Sequence, residues 1–78
     1  MFSKRLRAVR MKRKYTQQQM ADLLTVSLNA YQKYEQGERS PALETLVRIS
    51  DILKVPIDYL LGRDEFLQSL GVSVDEYQ

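Results

Sequence analysis

Two groups of polar side chains carry the recognisable chemistry of this 78-residue sequence. The first is a run of seven Lys and Arg residues within residues 1–14, a stretch that contains no acid. The rest of the chain carries five Lys or Arg and ten Asp or Glu, so the net charge of +2 hides a strong asymmetry. A polyanion is therefore a candidate partner for the basic end. A solvated face of a basic helix explains the same run of charges.

The second group projects from a segment whose sequence predicts two short helices. Thr16 is followed three residues later by Gln19, which is the capping-box pattern of a helix start. The helix that follows is expected to span about 17–24. After a short turn, Ser27 can cap a further helix, and Gly37 is expected to stop it.

The second helix of this pair has two contrasting faces. Helical spacing directs Val26, Tyr31 and Tyr34 inward. The side chains left on the outer face are Leu28, Asn29, Gln32, Lys33 and Gln36. Two short helices joined by a turn of about three residues form the helix-turn-helix arrangement. Such a pair also occurs in helical bundles, so the arrangement alone does not specify a function.

Further helices must position this pair. We predict a first helix over Phe2 to Lys14, a fourth over Ala42 to Leu53, and a short fifth over Pro56 to Leu61. The expected inner stripe of the fourth helix is Leu43, Leu46, Ile49, Ser50 and Leu53. The fold class is therefore all-α, a compact five-helix domain over residues 1–62. Residues 63–78 form a C-terminal extension, either a dimer contact or a partly ordered tail.

The composition excludes several other classes of function. The chain has no Cys and no His, which removes thiolate metal ligands and the commonest general base. We predict no enzymatic activity, no cofactor, no metal and no small-molecule substrate. No apolar run approaches the roughly 20 residues that span a bilayer, and no signal peptide is evident. We therefore expect a cytoplasmic protein without a membrane partner.

Several spaced motifs resemble the lambda/434 repressor, Cro and xenobiotic-response-element (XRE) helix-turn-helix family of bacterial and phage transcriptional regulators. The matching segments are 16–21 (TQQQMA), 26–27 (VS), 34–37 (YEQG), 41–46 (PALETL) and the apolar positions of 55–62. The resemblance covers about residues 2–62 without an insertion. It implies a repressor-like fold that binds double-stranded DNA, most simply as a homodimeric repressor on a two-fold operator in the nucleoid.

The resemblance also implies roles for individual residues. The positions that face base edges in the family are occupied here by Ser27, Leu28, Asn29, Gln32 and Lys33. Asn29 could bond adenine, Lys33 could reach guanine, and the Leu28 methyls could pack on a thymine methyl. The ordinary alternative for Leu28 is a single surface leucine without a role.

Phosphate contacts and one ion pair are implied in the same way. The expected phosphate-binding residues are Arg10, Gln17, Gln18, Gln36 and Arg39. A helix N-terminus suits an anion, which favours the phosphate role of Gln17 over the alternative of a simple first-turn residue. Arg10 is also expected to pair with Glu35. The expected dimer interface consists of Ile57, Tyr59, Leu61 and Phe66.

Two departures and two alternatives remain. The family usually has Gly where this chain has Thr25 and Lys54, so either the backbone is reshaped there or stability is lost. A protein-interaction module of the same fold, such as an antitoxin or antirepressor partner, would have a less polar and less basic face. Membrane-surface binding would need more large apolar residues on the first helix than Phe2 and Leu6.

Overall fold

Six α-helices and one short 3₁₀ helix build the chain in the computed structural model, which describes residues 1–78. The helices are α1 (Phe2–Lys12), α2 (Gln17–Leu24), α3 (Leu28–Gln36), α4 (Leu43–Leu53), α5 (Ile57–Leu60) and α6 (Asp64–Ser69), followed by the 3₁₀ helix Val74–Tyr77. The all-α prediction is confirmed. None of the helices combines the length and the apolar character that crossing a bilayer would require.

The helix pair begins where the sequence predicts. Thr16 Oγ1 accepts a hydrogen bond from the Gln19 N–H at 3.0 Å, and Gln19 Oε1 accepts one from the Thr16 N–H at 2.8 Å. This reciprocal capping box starts α2. Ser27 Oγ accepts from the Ala30 N–H at 3.0 Å and caps α3. Both caps satisfy N–H groups that lack an acceptor within the helix.

Three helices, α2, α3 and α4, end at a C-cap residue in the left-handed conformation, and α2 shows the pattern clearly. Thr25 has φ 57° and ψ 43°, and the Val26 N–H reaches back to the Ala21 carbonyl at 3.0 Å. This is the Schellman motif, which normally places glycine at the left-handed position. Lys54 ends α4 in the same conformation, with φ 58°. The backbone is therefore not reshaped at the two departures, and each non-glycine residue adopts the left-handed geometry.

The first helix is shorter than predicted for the same reason. Lys14 has φ 66°, and α1 therefore stops at Lys12 rather than continuing to Lys14. The short helix α5 also begins one residue later than predicted, because Pro56 is its N-cap rather than its first residue. These shifts leave the spacing of the α2–α3 pair unchanged.

The hydrophobic core draws at least one residue from every α-helix. Its thirteen buried members are Leu6, Val9, Met20, Ala21, Leu24, Tyr31, Tyr34, Ile49, Leu53, Val55, Tyr59, Leu60 and Leu67. Tyr31 and Tyr34 point inward as predicted, with ring centroids 6.2 Å apart in an edge-on arrangement. Val26 packs against the core while remaining partly exposed. The α3 helix is thus anchored by its two tyrosines, and its other faces remain at the surface.

One predicted core residue of α4 is on the surface. Leu43 is 78% exposed, whereas Ile49 and Leu53 are fully buried. Leu43 is the first residue of α4, at the end remote from the buried residues Ile49 and Leu53. Periodicity alone extends the apolar stripe to Leu43, but the core does not reach this end of α4.

The C-terminal extension folds back on the domain and covers a residue of the expected dimer interface. The centroid of the Tyr77 ring lies 5.2 Å from the centroid of the Tyr59 ring. The Arg5 guanidinium lies over the same Tyr59 ring, 4.2 Å from its centroid. Tyr59 is consequently only 5% exposed in the single chain, and its place in a dimer interface stays a prediction. Leu61 and Phe66 are exposed, and Ile57 is partly buried.

Candidate nucleic-acid interface

The outer surface of α3 is divided into two stripes by its helical spacing. Asn29 and Lys33, four residues apart, form an outer stripe; Asn29 is exposed and Lys33 is partly buried. The second stripe, called here the groove stripe, consists of Leu28, Gln32 and Gln36. Residues four apart on a helix lie on one face, so each stripe presents a continuous row of side chains.

The groove stripe borders an open groove of about 720 Å³ between α1, the start of α2 and α3. The residues that line it are Arg7, Arg10, Tyr15, Thr16, Gln17, Gln18, Leu28, Glu35 and Gln36. The first N–H groups of an α-helix have no acceptor within the helix and carry partial positive charge. The N-terminus of α2, at Gln17 and Gln18, therefore offers backbone donors at this groove. An anion is the natural ligand of such a surface.

The structure brings Arg10 and Glu35 together at the floor of the groove. Arg10 Nε donates to Glu35 Oε2 at 2.5 Å, and its terminal nitrogens donate to Glu35 Oε1 at 3.1 Å and to the Tyr15 carbonyl at 2.9 Å. The two side chains are 11% and 3% exposed, respectively. Because these bonds occupy the guanidinium from three sides, Arg10 is mainly a brace between α1 and α3. Its availability to a phosphate is correspondingly reduced.

Two glutamines extend this pair into a network that joins three helices. Gln17 Nε2 donates to Glu35 Oε1 at 3.1 Å, and Gln32 Nε2 donates to Gln17 Oε1 at 3.2 Å. Gln17 and Gln32 were expected to contact phosphate and bases, yet in the free protein their amides bond to each other. The sequence did not predict this network, because Gln17 is 15 residues from Gln32 and 18 residues from Glu35, and no local pattern links them.

The network also determines the ionisation of its buried members. Burial opposes the charged form of Glu35, but hydrogen bonds from Arg10 and Gln17 outweigh it and lower the pKa of this carboxyl below its ordinary value. The Tyr31 hydroxyl is buried beside the same carboxylate without a well-aligned hydrogen bond. Burial first, and then the Glu35 charge, raise the pKa of Tyr31. Glu35 is therefore an anion neutralised by Arg10, and Tyr31 is a neutral phenol.

Most of the basic N-terminal side chains hold the fold together. Arg5 makes a bidentate ion pair with Asp64 at 2.6 and 2.8 Å. Arg13 donates to the Leu53 carbonyl at 2.8 Å, and Lys12 contacts the Gln78 carbonyl. Several of the basic side chains in residues 1–14 are therefore bonded to other parts of the protein. The whole run of seven cations is not a free surface for a polyanion.

Arg7 is the cation that remains available in the groove. It is exposed, lines the groove and takes part in no ion pair. Arg7 was not among the phosphate-binding residues expected from the resemblance. Its position one helical turn before Arg10 on α1 is the signal that could have identified it.

Of the other expected contacts, Gln18 and Gln36 line the groove, whereas Ser27 and Arg39 are exposed outside its lining. Gln18 is exposed, and its amide donates to Asp22 Oδ1 at 2.9 Å. Gln36 lies at the end of α3 in the groove lining, and Arg39 is exposed in the following loop. Ser27 is exposed, but its hydroxyl oxygen is engaged as the cap of α3. Several of the expected polar groups therefore already have partners within the protein.

Two short helices, α2 and α3, joined by a three-residue turn and with the second helix capped by Ser27, form the helix-turn-helix arrangement. A helix-turn-helix family model matches residues 6–60. The chain belongs to this family, in the XRE and Cro–C1 type of transcriptional regulators, which are DNA-binding proteins rather than enzymes.

Relatives in bacteria and phage elements bear regulatory names. The chain is 51% identical over 61 residues to the uncharacterized HTH-type transcriptional regulator YqaE of Bacillus subtilis (strain 168), covering 78% of this chain and 53% of that protein. It is 54% identical over 48 residues to the cryptic phage CTXphi transcriptional repressor RstR of Vibrio cholerae serotype O1, covering 62% and 43%. The SPbeta prophage-derived uncharacterized HTH-type transcriptional regulator YonR of Bacillus subtilis (strain 168) is 46% identical over 61 residues, covering 78% of this chain and 56% of that protein. The chain thus spans about half the length of these relatives.

Proposed function

We propose that this chain binds double-stranded DNA in a sequence-specific manner and acts as a homodimeric repressor on a two-fold operator. The observation that carries the proposal is the placement of two kinds of surface side by side on the α2–α3 pair. One is the groove with Arg7 and the α2 N-terminus, which suits a phosphate. The other is the stripe of Asn29, which is exposed, and Lys33, which is partly buried; it suits base edges in the major groove.

Each surface has its own task in this proposal. Phosphate contacts fix the position of the protein on the duplex, whereas side chains at base edges provide the sequence preference. The Arg10–Glu35 pair cancels the carboxylate charge that would otherwise repel a phosphate in the groove. The proposed repressor role rests on the name of the relative RstR. The proposed place of action is the DNA of the nucleoid in the cytoplasm.

The test begins with selection of a preferred sequence from random duplexes, followed by titration of that duplex and a scrambled one. Between about 50 and 200 mM salt, affinity should fall steeply, because phosphate contacts release bound counterions. Arg7→Gln should weaken both duplexes similarly and lower the salt slope by about one unit. Lys4→Gln, on the same helix but outside the groove lining, is the matched control and should preserve the slope.

A second variant tests the base-reading surface. Asn29→Ala should relax the preference at one base pair in each half-site, a change of about 1–3 kcal/mol in discrimination. Gln68→Ala, an exposed amide on α6, is the matched control and should leave the preference intact. Binding that neither depends on salt nor selects a sequence would contradict the proposed function and would favour a protein-interaction module.

A further inference from the structure

The hydroxyl of Tyr31 has no hydrogen-bond partner among the protein's own groups, although the side chain is fully buried. Buried polar groups in proteins are nearly always paired, so an unpaired hydroxyl in the interior requires an explanation. The acceptor beside it is the Glu35 carboxylate, because residues four apart lie on one face of α3. Tyr31 therefore carries a donor next to this carboxylate that the free protein leaves unused.

The Glu35 carboxylate has two donors of unequal permanence. Arg10 holds both of its oxygens from α1, at 2.5 and 3.1 Å, and is tied to the Tyr15 carbonyl as well. The Gln17 amide of α2 makes a single bond to Glu35, 3.1 Å from Oε1, and its side chain is partly exposed in the groove lining. Gln17 is therefore the donor that a ligand in the groove can more readily draw away.

A phosphate in the groove competes with Glu35 for the Gln17 amide. An amide nitrogen that donated to both would hold two anionic oxygens about 5 Å apart, where like charges repel. When Gln17 turns to the phosphate, Glu35 loses a donor, and its side chain is only 3% exposed, so solvent cannot readily replace the bond. A donor that is already buried beside the carboxylate can replace it.

Resting on the DNA-binding function proposed above, we propose that Tyr31 is a positioning residue whose hydroxyl replaces Gln17 as the donor to Glu35 when Gln17 turns to a DNA phosphate. In the free protein, Gln17 donates to Glu35 and the Tyr31 hydroxyl is unpaired. On DNA, the Tyr31 hydroxyl donates to Glu35 and the Gln17 amide donates to the phosphate. The number of donors to Glu35 is then the same in both states, so the Arg10–Glu35 pair keeps its place between α1 and α3.

The experiment measures Tyr31→Phe, which removes only the hydroxyl, in the whole chain with Gln17 and in Gln17→Ala. With Gln17 present, the substitution should not lower the urea midpoint, because the lost hydroxyl had no partner. It should weaken binding about tenfold per half-site. The loss should be similar on the selected and the scrambled duplex, because a phosphate contact carries no sequence information.

The Gln17→Ala background reverses both expectations. Tyr31 then donates to Glu35 with and without DNA, so Tyr31→Phe should lower the urea midpoint and leave the affinity for DNA unchanged. Tyr34→Phe is the matched control, because Tyr34 is a buried tyrosine of the same helix that is not one turn from Glu35. It should leave the affinity unchanged in both backgrounds.

The outcomes separate this inference from the function on which it rests. A lower urea midpoint for Tyr31→Phe with Gln17 present would show that the hydroxyl is already bonded in the free protein. That result, or the same change in affinity in both backgrounds, would overturn the exchange of donors and leave DNA binding intact. Failure of the unaltered chain to select any duplex would overturn both.

Discussion

Thr25 ends α2 in a backbone conformation that favours glycine, with φ of 57°. A β-branched side chain crowds its own backbone there, and a non-glycine residue in this region costs about 1–2 kcal/mol. Glycine removes the crowding but makes the unfolded chain more flexible, which costs about 0.4–1 kcal/mol. Thr25→Gly should therefore raise the free energy of unfolding by about 0.5–1 kcal/mol, measured by urea denaturation.

Lys54 provides the matched comparison for that substitution. It ends α4 with φ 58° and is also exposed, but its side chain is not branched at Cβ. Lys54→Gly should therefore stabilise the protein less than Thr25→Gly does. A decrease in stability on Thr25→Gly would show that the turn does not strain the threonine.

Local chemistry explains which residues could be predicted from sequence. The capping box of Thr16 and Gln19 depends only on a three-residue spacing, so its position was predictable. The partners of Gln32 and the burial of Tyr59 depend on contacts between distant segments. Tyr59, for example, is covered by Tyr77 and Arg5, which no periodicity within α5 could indicate.

At the scale of elements, Glu35 joins α1, α2 and α3. It accepts hydrogen bonds from Arg10 and Gln17. Glu35→Gln should lower the free energy of unfolding near pH 7 by about 2–3 kcal/mol, because hydrogen bonds to a charged group are lost and Arg10 keeps a buried charge without a counterion. Asp58→Asn, which breaks a more exposed pair with Arg63, should cost less than about 1 kcal/mol.

The same carboxyl should make stability depend on pH. Its pKa is lower in the folded protein than its ordinary value of 4.5, so the unfolded chain binds the proton first as the pH falls. The contribution of Glu35 to stability is therefore fully present above about pH 4.5 and is lost as the pH falls through the folded-state pKa. Urea denaturation between pH 3 and 7 should show a shallower acid-side decline in Glu35→Gln. An unchanged profile would exclude this ionisation as a source of the pH dependence.

At the scale of the whole molecule, the buried position of Tyr59 narrows where a second copy could bind. Of the four residues expected at the dimer interface, Leu61 and Phe66 remain exposed, and Ile57 is partly buried. Leu61 also borders a small apolar pocket of about 130 Å³ together with Phe2, Pro41 and Leu46. On this side of the molecule, Leu61 and Phe66 are therefore the expected interface residues that are still exposed, and Leu61 is the one that also borders the pocket.

Leu61→Lys tests this consequence on the operator. Burial of a whole leucine contributes about 1.5–3 kcal/mol, and Leu61, which is 46% exposed, can still gain about half of that. Because each substitution acts twice in a two-fold interface, dimerisation should weaken at least about tenfold. Two dimer-related recognition helices would lie about 34–36 Å apart. Affinity for a full operator should therefore fall, whereas affinity for an isolated half-site should not change.

Leu23→Lys is the matched control, because Leu23 is 45% exposed and Leu61 is 46% exposed. Equal sedimentation behaviour and equal operator affinity for both variants would exclude Leu61 from the interface.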